Sequence, residues 1–223
     1  MKIKFTLLSA LLMLFCISCS TNKPVLSANA INTKVKTMAI LPVLVQYTGN
    51  MPRNVTQAQL DSAAVKTGYT YQQILLANLQ RYSRPKKKIT VAQIQSPDKT
   101  NGLLNSAGIS AAAAFNADPD MLCKILGVDA VIKMNVTSNR IMSDLASMGI
   151  GTVRNLIFWG TNMDPVVRAS VSNKTADVYA NCVLVKGGET LWSASYQKPT
   201  NWHISGTDVM YKITRKMGKR FPF

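Results

Sequence analysis

Between Asp118 and Val136 the chain spells out a helix and a strand with almost nothing between them. Asp118 can offer a side-chain oxygen to the free N–H groups of a first helical turn. Pro119 fits that turn because it has no N–H to leave unpaired, and Gly127 provides the left-handed residue on which helices commonly end. Val128-Asp-Ala-Val-Ile-Lys-Met-Asn-Val136 follows at once as an apolar strand. A capped helix that feeds straight into such a strand folds back over it, so the chain is expected to build a sheet with helices against it.

The rest of the sequence fits that frame. Thr37 to Val45 is a nearly continuous apolar run, as in a strand covered on both faces, and Pro42 inside it has no N–H for a ladder, so pairing should bend or end there. Thr70 to Tyr82 reads as a helix whose apolar stripe (Tyr71, Ile74, Leu75, Leu79, Tyr82) is broken only by Asn78. Arg81, Arg84 and Lys86 to Lys88 bring cations to its C-terminal end, where the helix dipole favours them. Residues 89–94 form a short alternating strand, and 175–186 with 189–197 read as a hairpin turning on Gly187-Gly188. Residues 205–219 form a basic helix with Val209, Ile213 and Met217 four apart. The expectation is one α/β (α+β) domain over residues 35–223, a mixed sheet with flanking helices.

The first residues have the three parts of an export signal: Lys2 and Lys4, an apolar run from Phe5 to Ile17, and then Ser18-Cys19. The run is short for a bilayer span and a small residue closes it, so residues 1–18 read as a cleaved lipoprotein signal and Cys19 as the lipidated residue, a carrier of palmitate-type chains. The alternative is an ordinary secretory signal cut near Ala28 or Ala30. Residues 19–34 are polar and read as a flexible tether. No acidic residue directly follows Cys19, which points to an outer-membrane anchor facing the periplasm.

Export decides how the charge is read. Removing residues 1–18 takes Lys2 and Lys4 from the 26 basic side chains and none of the 10 acidic ones, so the net charge of +16 becomes +14. In the cytoplasm such a charge would suggest nucleic acid. In the envelope the anionic partners are lipid phosphates, lipopolysaccharide and wall polymers, unless the lysines only solubilise the surface. Of four cysteines, Cys123 and Cys182 remain after processing, both inside apolar segments; they are core residues, or a disulfide if helix and strand bring them together. One histidine and no CxxC pair imply neither a metal nor a cofactor.

Three segments carry a family resemblance: Ile40-Leu41-Pro42, the unit Leu122-Cys-Lys-Ile-Leu-Gly-Val-Asp-Ala-Val-Ile132, and Gly187-Gly188-Glu-Thr-Leu-Trp192. Together they resemble envelope lipoproteins whose domain is similar to the N-terminal domain of TolB. Those relatives include the curli-secretion pore subunit, lipoprotein activators of penicillin-binding proteins and lipoproteins of unknown function. Over residues 35–222 the resemblance implies an anticodon-binding-like α/β fold and an envelope compartment. Such proteins share a fold rather than a reaction, so function has to come from the chain's own sites.

Those sites do not look catalytic. His203 stands between Trp202 and Ile204 without a positioned nucleophile, the carboxylates are scattered, and no Gly-rich phosphate loop occurs. The informative anomaly is the excursion at 139–165. Ile141, Leu145, Met148, Thr152, Leu156 and Trp159 keep helical spacing, while Asp144 and Arg154 make the stretch a poor membrane span. Either it packs on the domain's own sheet, or Leu145, Met148, Leu156 and Trp159 form a surface for a partner or the bilayer interface. The expected function is a non-enzymatic, membrane-anchored lipoprotein that binds protein partners, a second copy among them, in envelope assembly or secretion. The alternative is a module binding anionic envelope polymers or lipids through basic patches.

Overall fold

The computed structural model describes residues 24–31, 33–51, 55–82, 93–140, 176–200 and 206–222. Its strands are β1 (Val25–Leu26), β2 (Thr37–Ile40), β3 (Leu44–Gly49), β4 (Gln93–Ile94), β5 (Ala130–Arg140), β6 (Ala176–Lys186) and β7 (Glu189–Thr200). Its α-helices are α1 (Gln57–Tyr82), α2 (Pro97–Ser106), α3 (Ala111–Asn116), α4 (Pro119–Leu126) and α5 (Gly206–Arg220). The strands form one mixed sheet in the order β1-β7-β6-β5-β2-β4, with β3 also paired to β5. The expected α/β class, a mixed sheet with flanking helices, is what the chain adopts.

Pro42 divides the first apolar run as its missing N–H requires. β2 and β3 both run parallel to β5, but Ile40 lies opposite Ile132 and Leu44 opposite Asn135, so residues 41–43 face only Lys133 and Met134. That extra residue is a bulge, and it shifts the alternation of side chains by one. Met38 and Ile40, then Val43 and Val45, therefore lie on one face, while Ala39 and Leu41 lie on the other.

On the first face α1 and α5 pack over the sheet. Tyr71, Leu75 and Leu79 of α1 meet Val209, Ile213 and Met217 of α5 over Ile132, Met134, Cys182, Leu184 and Trp192. The two helices approach closely at Gly218, where a Cβ would stand 2.8 Å from the Asn78 carbonyl oxygen. Asn78, the polar break in the stripe, is buried and donates to Thr214 Oγ1 at 2.9 Å and to the Ile74 carbonyl at 3.1 Å. Gln72, also buried, donates to the Ile40 carbonyl, one of the acceptors freed where β2 stops. On the second face Leu104 of α2, Ala114 of α3 and Leu122 and Leu126 of α4 cover Ala39, Leu41, Val131 and Val185.

Several boundaries differ from the sequence reading. Helix α1 begins at Gln57 rather than Thr70, because Thr56 and Gln59 cap each other's backbone N–H groups in a reciprocal box. Helices α2 and α3 were not expected, although Ser96 and Ser110 cap them much as Asp118 caps α4. Gly127 ends α4 at φ +65°, as its position predicted. The hairpin turns on Gly187-Gly188, both at positive φ, and β6 and β7 run from Ala176 to Thr200.

Part of the segment expected as a tether, 19–34, is bound to the sheet. Val25 and Leu26 pair antiparallel with Ser193 and Trp192, Ser27 N donates to the Leu191 carbonyl, and Ser27 and Asn29 side chains both donate to Glu189. An unpaired edge on β7 recruits these residues because its backbone groups need partners.

Candidate interaction surface

Most buried or half-buried polar groups on the sheet have structural work. Asp129 Oδ2 accepts from the Lys36 and Thr37 N–H groups at 2.8 and 2.9 Å, fixing the start of β2 against β5. The Thr37 backbone bond, with that of Lys36, holds this carboxyl below its ordinary range against the opposing effect of burial. Lys133 donates to the Phe115 and Ala117 carbonyls at 2.9 and 2.7 Å, closing the end of α3, and burial pushes its ammonium pKa down. Cys182 lies in the core under α1 and α5, and Cys123 packs against the core under α2 to α4. The sheet separates these two free thiols, so the disulfide left open by the sequence does not form. Burial pushes the Cys182 thiol up to about 12 and raises Cys123 as well, which leaves both as protonated packing groups.

Two surfaces stand apart from this scaffold. The first is the part of the second sheet face that α2 to α4 leave open. Leu44, Asn135, Asn181 and Ser195 make one cross-strand row, and Gln46, Thr137, Tyr179 and Gln197 the next. Ser195 Oγ donates to Asn181 Oδ1 at 3.2 Å, and Gln197 Nε2 to Tyr179 Oη at 3.1 Å. The β5 to β7 members of these rows line a shallow cleft of about 250 Å³, together with Ala180 and Tyr196, and its lining carries amides and hydroxyls but no charged side chain.

The second surface is where the C-terminal ends of α1 and α5 meet. Lys212, Arg215 and Lys219 follow one exposed stripe of α5 beside Arg81 of α1. Tyrosines separate the cations: Arg215 Nε donates to Tyr82 Oη at 2.9 Å, and Arg81 Nη1 to Tyr211 Oη at 3.3 Å. Lys219 Nζ lies 5.7 Å from the Tyr82 ring centre, and Lys216 Nζ lies 4.4 Å from that of Tyr196. The Arg215 hydrogen bond, more than the general positive field, lowers the Tyr82 phenol pKa. The acids of these helices, Asp61 and Asp208, are at their N-terminal ends. A groove of about 350 Å³ runs beside the cluster, lined by Ile74, Ala77, Arg81 and Tyr211 among others.

Cys19, the expected lipidation site, and Leu145, Met148, Leu156 and Trp159, the expected partner contacts, lie outside the described residues, as does His203. The structure brings Arg81 to the α5 cations, a meeting that the sequence hinted at only by placing basic residues near the ends of two helices. The polar rows were missed, although β5 to β7 alternate apolar and polar residues through Met134 to Ser138, Val178 to Cys182 and Ala194 to Gln197. Among the described residues no group of histidine, cysteine, aspartate and glutamate has the makings of a metal site, and no helix is long and apolar enough to cross a membrane.

No protein-family model matches the chain, and no curated protein does. Solved structures with a similar course include lipoprotein GNA1162 from Neisseria meningitidis, 17% identical, covering 81% of this chain and 92% of that one at a TM-score of 0.40. A PelC dodecamer from Paraburkholderia phytofirmans is 13% identical, covering 90% and 95% at 0.41. The LpoB C-terminal domain from Salmonella enterica is 11% identical, covering 75% and 86% at 0.30. These are distant likenesses of shape, and the function has to be read from this chain's own residues.

Proposed function

We propose that this chain is a non-enzymatic lipoprotein of the bacterial envelope, anchored through an acylated Cys19 and binding protein partners through the segment between β5 and β6. The observation that carries the reading is how that segment is attached. In the antiparallel ladder of β5 and β6 Arg140 stands directly opposite Ala176, so the connection formed by residues 141–175 starts and ends at one rung of the sheet. An insertion attached in this way imposes nothing on the pairs beneath it, and its length and composition can serve contact rather than the ladder. Its sequence supplies anchors of the kind that dominate interfaces, with Trp159 near Leu156 and, earlier in the segment, Leu145 and Met148. Such a partner is a second copy of the chain or another envelope protein. The signal before Cys19 supports export, and the missing acid after it supports the periplasmic side of the outer membrane.

Leu156→Ser and Trp159→Ser test the contact role. Both variants should melt close to wild type while losing association in sedimentation and in pull-downs from gently solubilised membranes. A large fall in melting temperature with association intact would assign the segment to the core instead. The anchor is tested separately by metabolic labelling with a fatty-acid analogue: Cys19→Ser should lose the label and Cys16→Ser should keep it.

A further inference from the structure

The position of β1 relates the anchor to the cationic surface. Leu26 pairs with Trp192, and Trp192 Nε1 donates to the carbonyl of Arg220, the last residue of α5, at 3.2 Å. The Phe221 ring closes the same corner, edge-on to Trp192 with ring centres 5.1 Å apart. The chain thus enters the fold beside the C-terminal end of α5. Cys19 lies six residues before Val25, and a fully extended chain of that length reaches only about 20 Å. A lipid on Cys19 therefore keeps the bilayer surface near the end of the domain where Arg81, Arg215 and Lys219 gather.

We infer that the face formed by Arg81, Lys212, Arg215 and Lys219, with Tyr82 and Tyr211 between them, lies against the phosphate-bearing headgroups of the membrane that holds the anchor. The inference rests on the lipoprotein reading above and adds a contact surface and an orientation to it. The chemistry is complementary. The guanidinium groups present several donors that match phosphate oxygens, the lysines add mobile point charges, and no acid interrupts them on this part of either helix. Tyrosine rings suit the headgroup depth because they pair an apolar body with a polar tip. Each cation near an anionic surface strengthens binding by roughly fivefold, so three or four together hold a domain that is already tethered. A soluble anionic polymer would meet the same charges, but the short link from Cys19 to β1 favours the membrane.

The test uses the lipidated protein purified from membranes and reconstituted into vesicles of phosphatidylcholine alone or with added phosphatidylglycerol. Flotation with phosphatidylcholine vesicles reports the anchor. Acetylation by a membrane-impermeant reagent, followed residue by residue by mass spectrometry, reports the face. In phosphatidylglycerol vesicles Lys212 and Lys219 should react about tenfold more slowly than in phosphatidylcholine, and salt near 0.5 M should abolish the difference. Lys99 and Lys124, exposed on the helices of the other sheet face, should react alike in both. Lys212→Gln combined with Arg215→Gln should return Lys219 to its phosphatidylcholine rate, whereas Lys124→Gln should not. Equal acetylation of Lys219 in the two vesicle types overturns the inference even if the protein floats. So does protection in detergent by dextran sulfate that phosphatidylglycerol vesicles fail to match, since that assigns the surface to a soluble polymer. Loss of flotation with retained protection points instead to failure of the Cys19 reading.

Discussion

The two faces of the central sheet are built from the same strands and meet different fates. Toward α1 and α5, every second residue of β5 and β6 is apolar and buried, from Ile132 to Val136 and from Val178 to Leu184. Toward α2 to α4, the same strands are fully buried only near Val131 and Val185, and past Lys133 they carry Asn135 and Thr137 half-buried and Tyr179 and Asn181 exposed. Alternation in a strand follows from its two-residue repeat, but burial needs a helix to cover it. Three short helices cover less sheet than one of 26 residues with one of 15 crossing it. The lesson is that one β-sheet can serve as core and surface along a single strand.

The largest expected effect lies on the covered face. Trp192→Ala removes a fully buried ring and its partner Phe221's edge contact, and should cost about 3–5 kcal/mol by denaturant unfolding. Ser195→Ala, three residues along on the open face, should change stability by less than about 0.5 kcal/mol. Equal costs would show that the open rows are covered in solution.

Gly218→Val sharpens the same contrast. Its branched side chain would have to enter the contact with the Asn78 carbonyl, forcing α5 away from α1, and a loss of about 2–3 kcal/mol should follow. Gly127→Ala, at the end of α4, meets nothing within 4 Å, so only the left-handed backbone resists it. Its cost should be near 1 kcal/mol, and thermal melts of the two variants side by side would expose any error in their order.

The smallest effect is electrostatic. Asp129 titrates below its ordinary value because the backbone N–H groups of Thr37 and Lys36 stabilise the carboxylate. A depressed folded-state pKa means that the stabilisation is present above the unfolded carboxyl's titration and is lost as pH falls through the folded one. Melting temperature should therefore drop more steeply on acidification in wild type than in Asp129→Asn. Parallel acid profiles for the two proteins would show that this clamp is not a source of the pH dependence.

What the sequence determined by itself was set by local chemistry. Asp118, Pro119 and Gly127 define a helix without help from distant residues, since a cap, a ring and a missing Cβ act on their own turn. Pro42 breaks a strand for the same reason, and the Gly187-Gly188 turn needs only two residues that accept positive φ. The segment expected as a partner contact and the lipidation of Cys19 rest on composition and spacing alone, and they are the basis of the functional proposal. What only the tertiary structure decided depends on which surfaces meet. It placed Cys123 and Cys182 on opposite sides of the sheet, turned part of the expected tether into an edge strand on β7, and left one polar face open. It also drew Arg81 to Arg215 through Tyr82, two residues separated in sequence by more than half the chain. Side-chain spacing along a strand or helix says which residues share a face, but the partner for that face is fixed by packing between elements remote in sequence.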